Sequence, residues 1–270
     1  MDGLRSTLLR TTAKGQKYIG STDRPNRMEH LTCFTPGMLA IGSLPSHLGT
    51  KRVPHWEGPA KAAERGREDL VLAKELMETC FNMYEQTRTG IGPERVDFNG
   101  GGGGLRGGVG GGAGGREFSV AGDGPWSTLR PEMVESLFIL HQITGDEKYQ
   151  KWGWKVWTAI ERYARTDYGY GALPDVDRVD VACCNGPDDR MESYVFAETF
   201  KYLYLLFDDD PNRPPNRLQA TSSGGSKATS GGGKYRIDLT KWVFNTESHP
   251  MAIGDGCTGA CVPFGDDGSV

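Results

Sequence analysis

"LRPEMVESLFILHQITG", residues 129 to 145, is the stretch whose reading decides the fold. Met133, Val134, Leu137, Phe138, Leu140 and His141 recur at steps of three and four, the period of a helix packed along an apolar face. Gly145 then offers the left-handed φ with which many helices end. Pro131 suits the first helical position, where its missing N–H would be unpaired anyway. Acids in the first turn also favour the helix dipole. Arg130, Glu132 and Glu135 nevertheless place three charges at the mouth of a helix built for a core. They read either as a well-made helix start or as functional groups held at the edge of a core.

The segments around this helix have the same period. In "EDLVLAKELMETCFNMYEQT" (68–87), Leu70, Ala73, Leu76 or Met77, Cys80, Met83 or Tyr84 and Thr87 follow at steps of three and four. "EKYQKWGWKVWTAIERYAR" (147–165) repeats the step through Tyr149, Trp152, Val156, Ile160 and Tyr163. "DDRMESYVFAETFKYLYLLF" (188–207) reads as a third helix, apolar on most sides in its last turns and so covered by several neighbours. Only "KWVFNT" (241–246) reads as a strand. The expected fold class is all-α, built from helix pairs with functional loops between them.

Two stretches cannot form a core. Residues 100–115 are nearly pure glycine, and residues 220–233 are rich in Gly, Ser and Thr. Both lack the apolar area that offsets ordering entropy, so they read as insertions. The first is no dinucleotide loop, because it neither follows a strand nor opens a helix.

The 270 residues suffice for one large or two ordinary domains. A net charge of −4 gives no electrostatic footprint for nucleic acid. No apolar run reaches the roughly eighteen residues of a membrane span, and the first residues show no signal-peptide core. Six cysteines, at 33, 80, 183, 184, 257 and 261, include no C-x-x-C pair, which argues against zinc.

Carboxylates recur beside aromatic and histidine neighbours. Glu198 sits among Phe196, Phe200, Tyr202 and Leu203, with Tyr194 one turn before it. A carboxylate in such a helix needs a partner: a structural salt bridge to Arg130 or Arg190, a metal shell, or a ligand hydroxyl. "RMEHLTCF" (27–34) offers Glu29 and His30, and "FNTESHP" (244–250) offers Thr246 and Glu247, whose oxygens suit a hard cation. "DDDPNRPPN" (208–216) lacks the glycine and glutamate of an EF-hand and reads as a solvated turn. Two chemistries fit these residues: paired carboxylates acting on a glycosidic bond, or a carboxylate-rich metal site. The lack of E-x-x-H spacing argues against a di-iron bundle.

Six stretches carry a resemblance. "MEHLTCF" with the following "PGMLAIG" (28–42), "ELMETC" (75–80), "LRPEMVESLF" (129–138), "TGDEKYQKWGW" (144–154), "DDRMESYVFAETFKYLYLLFDDDP" (188–211) and "VFNTESHP" (243–250) resemble the class I α-1,2-mannosidases, glycoside hydrolase family 47, in family order. The resemblance implies an (α/α)7 barrel of helix pairs with a short β-hairpin plug near the C-terminus. Residues 1–250 would be the C-terminal portion of one catalytic domain, the barrel being incomplete, with insertions at 100–115 and 220–233 and an unassigned tail at 251–270.

It also implies roles. Glu132 would be the general base of an inverting exo-α-1,2-mannosidase, and His30, Arg130, Glu135, Tyr194 and Glu198 would line the −1 subsite. Tyr194 stands where the family usually has phenylalanine beneath the sugar ring, and Glu29 where it usually has aspartate or glycine. Thr246 would hold Ca²⁺, with Glu247 among the carboxylates that fix calcium-bound waters. Cys33 and Cys80 match the family's disulfide. The partners would be high-mannose N-glycans, and the location the lumen of the endoplasmic reticulum or Golgi. The general acid, and any membrane anchor, would lie in a segment before Met1. The alternative is an inactive homologue lacking the acid, a mannose-binding or non-functional remnant.

Overall fold

The computed structural model describes residues 2–44, 59–98, 118–179, 186–208, 239, 242–245 and 249–252. In chain order these form α1 (Asp2–Thr7), β1 (Leu9–Thr11), β2 (Lys17–Ile19) and β3 (Arg27–Glu29). A 3-10 segment (His30–Phe34) then runs into α2 (Thr35–Gly42), followed by α3 (Pro59–Glu85), β4 (Arg95–Phe98) and β5 (Phe118–Val120). The second half holds α4 (Glu132–Thr144), α5 (Lys148–Tyr163), and a π-helical segment (Val195–Phe200) continuing as α6 (Lys201–Phe207). A hairpin of β6 (Trp242–Phe244) and β7 (Pro250–Ala252) comes last.

The opening stretch becomes the central helix. α4 packs against the 3-10 segment, α2, α3, α5, the π-helical segment and α6. Being covered from so many sides explains why Met133, Val134, Leu137, Phe138, Ile139 and Leu140 are all buried. Gly145 caps the helix at φ 70°, returning its N–H to the His141 carbonyl. Pro131 stands one position earlier than expected, as the N-cap.

α5 is amphipathic instead, burying Tyr149, Val156 and Ile160 on one face. Its Gly153 permits close approach to α6, since a Cβ there would lie 2.4 Å from Leu206 Cδ2. Helix α3 buries Ala73, Leu76, Met77, Cys80, Met83 and Tyr84 along the expected face. Cys33 and Cys80 form a disulfide with Cα atoms 5.9 Å apart, tying the 3-10 segment to α3.

Two expectations are corrected. β1 to β5 were not read from the sequence, because three or four residues give too few alternations to register as a period. Residues 188–193 are not helical either. Asp188 N–H donates to the Ala172 carbonyl at 2.7 Å and Ala172 N–H to the Arg190 carbonyl at 3.0 Å, so this backbone pairs with a loop.

The sheet β3–β4–β5 is antiparallel throughout and has a direct bearing on function. Its register pairs Met28 with Val96 on the buried face and Arg27 with Asp97 on the outer face, where they form an ion pair at 2.8 Å. Alternation carries His30 to the buried side, and its N–H donates to the Glu94 carbonyl at 2.9 Å. Two residues 64 positions apart (94 minus 30) therefore adjoin at the sheet's end.

The expected C-terminal hairpin is present. Phe244 packs edge-on against Phe138 of α4 and Tyr202 of α6, at ring-centre distances of 6.2 and 5.8 Å. The described helices do not close into a barrel, and none is long and apolar enough to cross a membrane. The Gly-rich tracts at 100–115 and 220–233, Cys183, Cys184, Cys257, Cys261 and residues 253–270 lie outside the described residues.

Candidate active site

Glu132 opens α4 against the 3-10 segment. Its Oε2 lies 3.1 Å from His30 Nδ1, and His30 Nε2 lies 2.6 Å from the Tyr84 hydroxyl of α3. A carboxylate only accepts, so Nδ1 donates to it, while the tyrosine keeps its own proton beside Nε2. Burial, with Glu132 and Glu94 nearby, pushes the Tyr84 pKa up, so that proton stays in place. Burial also disfavours the ionised form of Glu132. The hydrogen bond and charge of His30, with a smaller contribution from Arg130, overcome this and hold the carboxyl below its usual range. The result is a largely buried carboxylate, held ionised and oriented.

Arg130 lies beside it. Its Nε donates to both oxygens of Glu94, at 3.0 and 2.7 Å. Burial opposes its charge, but Glu94 outweighs burial and raises its pKa. The expected salt bridges of Glu198 to Arg130 or Arg190 are replaced: Arg130 takes Glu94, and Arg190 takes Asp188 and Glu192. Tyr194 has its ring 5.8 Å from the Arg130 guanidinium and its hydroxyl 2.7 Å from Thr128 Oγ1.

One turn into α4, the Glu135 carboxyl accepts from the Tyr202 hydroxyl at 3.3 Å. Burial pushes Glu135 up to about 7; the Tyr202 bond opposes this, and the charges of Glu132 and Glu198 add to it. Glu132, Glu135 and Glu198 thus share one electrostatic neighbourhood. The turn before α4 is strained, since Leu129 has φ 58° without being glycine. Thr199 Oγ1 donates to the Leu129 carbonyl at 2.7 Å, so the π-helical segment fixes this turn. A π-helical turn is rare and often marks a functional site.

The structure therefore brings His30, Arg130, Glu132, Glu135, Tyr194 and Glu198 around the start of α4. Thr246 and Glu247 lie outside the described residues. Among the described residues, no three His, Cys, Asp or Glu side chains stand close enough to hold a metal directly. One ionised carboxylate beside a fixed arginine suits proton abstraction from water next to a polar ligand.

Residues 1–253 match the sequence profile of glycosyl hydrolase family 47. The chain belongs to that family. It is similar to the human endoplasmic reticulum mannosyl-oligosaccharide 1,2-alpha-mannosidase, with 35% identity over 94% of this chain and 29% of that protein. It is 34% identical to mannosyl-oligosaccharide 1,2-alpha-mannosidase MNS1 of Arabidopsis thaliana, over 94% of this chain and 35% of the relative. Among solved structures, an alpha-1,2-mannosidase from Trichoderma reesei matches with a TM-score of 0.64 and 26% identity, over 94% of this chain and 45% of that one. The chain thus spans about a third of the length of these two relatives.

Three residues of this family 47 site were not singled out from the sequence. Glu94, in "GPERVDF", has no helical context, and only the sheet register places it beside Arg130. Tyr84 reads as one more apolar position of α3, and Thr128 lies in no periodic pattern. Gly92 was a fainter signal: a Cβ there would fall 2.3 Å from the Tyr84 ring, so it fits the ring that supports His30.

Proposed function

We propose that this chain carries the general-base half of a calcium-dependent, inverting exo-α-1,2-mannosidase that trims high-mannose N-glycans in the secretory lumen. The observation that carries this reading is the His30–Glu132 pair, 3.1 Å apart, with Glu132 held ionised despite burial. Family membership and the names of the relatives supply the substrate class.

In this reading Glu132 takes a proton from water as the water oxygen bonds to the anomeric carbon. The glycosidic C–O bond breaks on the opposite face, and the leaving oxygen receives a proton from a general acid. In this reading that acid belongs to the part of the family domain that this chain does not match. His30 and Tyr84 keep Glu132 oriented, and Arg130 donates to a sugar hydroxyl.

The described carboxylates would suit a cation held nearby through water rather than by direct ligation. Glu135 is driven to about 7 beside two further carboxylates, a neighbourhood short of positive charge. Thr246 would hold Ca²⁺, with Glu247 fixing its waters, and the ion would polarise and orient sugar hydroxyls. The relatives named for the endoplasmic reticulum, and the disulfide, support a lumenal location.

A second reading of the same residues is a homologue that binds mannosides without cleaving them. Both are tested by incubating the purified chain with Ca²⁺ and α-1,2-mannobiose. Calcium-dependent mannose release, lost in Glu132→Gln, supports the enzyme. Binding without release supports the second reading, and neither binding nor release ends both.

A further inference from the structure

Building on the active-site reading above, we propose that Tyr194 is a positioning residue that aims Arg130 through Thr128 and Glu94. The polarity of the relay is fixed by its end. Glu94 accepts on both oxygens from Arg130 Nε, at 3.0 and 2.7 Å, and also accepts from Thr128 Oγ1 at 2.9 Å. A threonine hydroxyl has one proton to give. With that proton committed to Glu94, Thr128 Oγ1 can only accept from Tyr194, whose hydroxyl lies 2.7 Å away. Burial raises the Tyr194 pKa above its ordinary value, which keeps the donor protonated.

The same side chain acts on the arginine directly, its ring lying 5.8 Å beneath the guanidinium carbon. Arg130 is thus gripped at Nε by the carboxylate and on one face by the ring. Among the described residues neither Nη group has an acceptor, which leaves four N–H bonds for a ligand hydroxyl.

The backbone behind Arg130 explains why such a grip is needed. Leu129 is held at φ 58°, a conformation that would relax if released. Thr199 Oγ1 holds its carbonyl at 2.7 Å, while Tyr194, at the N-cap of the same π-helical segment, holds the neighbouring Thr128 side chain. One short segment thus clamps the turn 128–129 at both residues. Apolar stacking would need only the ring. The hydroxyl is what reaches Thr128.

The test uses the full 270-residue chain with two variants that approach the bond from opposite sides, Tyr194→Phe and Thr128→Val. The direct probe is the Arg130 Nε–H resonance in a ¹⁵N spectrum, which reports the arginine's own hydrogen bond and not the fold at large. Each variant is expected to shift this resonance and weaken α-1,2-mannobiose binding about five-fold, the effect of one ordinary hydrogen bond. The double variant should lose no more than the larger single loss, because both changes break one relay. An Arg130 resonance unmoved in both variants, or fully additive losses, overturns the proposal. If the wild-type chain binds no mannobiose, the active-site reading falls, and the resonance alone decides the relay.

Discussion

His30 and Glu132, 102 positions apart in sequence, meet at 3.1 Å, and this contact keeps a partly buried carboxylate ionised. Breaking it should therefore act first on a titration. In His30→Ala, burial is no longer opposed by the histidine, so the Glu132 pKa should rise. Because the wild-type pKa is depressed, the pair stabilises the fold above the ordinary carboxylate value of 4.5, and that contribution is lost as pH falls through the folded pKa. Carboxyl ¹³C NMR of Glu132 checks this. An unchanged midpoint would show that His30 does not set the charge of Glu132.

Glu135 should behave in the opposite sense. Its pKa is raised from 4.5 to about 7, so the folded protein holds a proton that the unfolded chain has released. Its contribution is full below pH 4.5 and is lost as pH rises through about 7. At 1.36 kcal/mol per pKa unit, roughly 3 kcal/mol is the upper scale of the loss. Glu135→Gln should flatten this fall, measured as the difference in urea unfolding between pH 5 and pH 8. Parallel curves for variant and wild type would contradict the raised pKa.

Calcium should move the same group. A cation near Glu132, Glu135 and Glu198 favours their ionised forms, so millimolar Ca²⁺ should pull the Glu135 midpoint below 7, and a chelator should restore it. Mg²⁺, which prefers a smaller and more rigid shell, should do less. A Glu135 titration indifferent to Ca²⁺ would end the cation reading.

Gly92 links packing to chemistry. An alanine Cβ would fall 2.3 to 2.8 Å from three atoms of the Tyr84 ring, which is almost wholly buried and has nowhere to retreat. Gly92→Ala should cost about 1–3 kcal/mol by overpacking. It should also displace the hydroxyl from His30 and so disturb the Glu132 titration, whereas Gly42→Ala, with nothing within 4 Å, should do neither. Equal behaviour of the two variants would refute the argument.

The sequence by itself determined the helices and the charges that interrupt them. The steps of three and four in α3, α4 and α5 are local facts, because residues that near in sequence share a helix face wherever the helix packs. Gly145 and the acids after Pro131 were legible for the same reason. Arg130, Glu132, Glu135 and Glu198 stood out because each is a charge inside an apolar pattern, and motif order added His30, Tyr194 and the Cys33–Cys80 pair. Only the tertiary structure decided the partners. Arg130 takes Glu94 across 36 positions, and Arg190 takes Asp188 and Glu192. Tyr194 spends its hydroxyl on Thr128 across 66 positions. Such choices depend on which faces of the core meet and on the register of a sheet whose strands are too short to leave a period. No spacing along the chain encodes them, because a buried charge takes whichever partner the packing brings within reach.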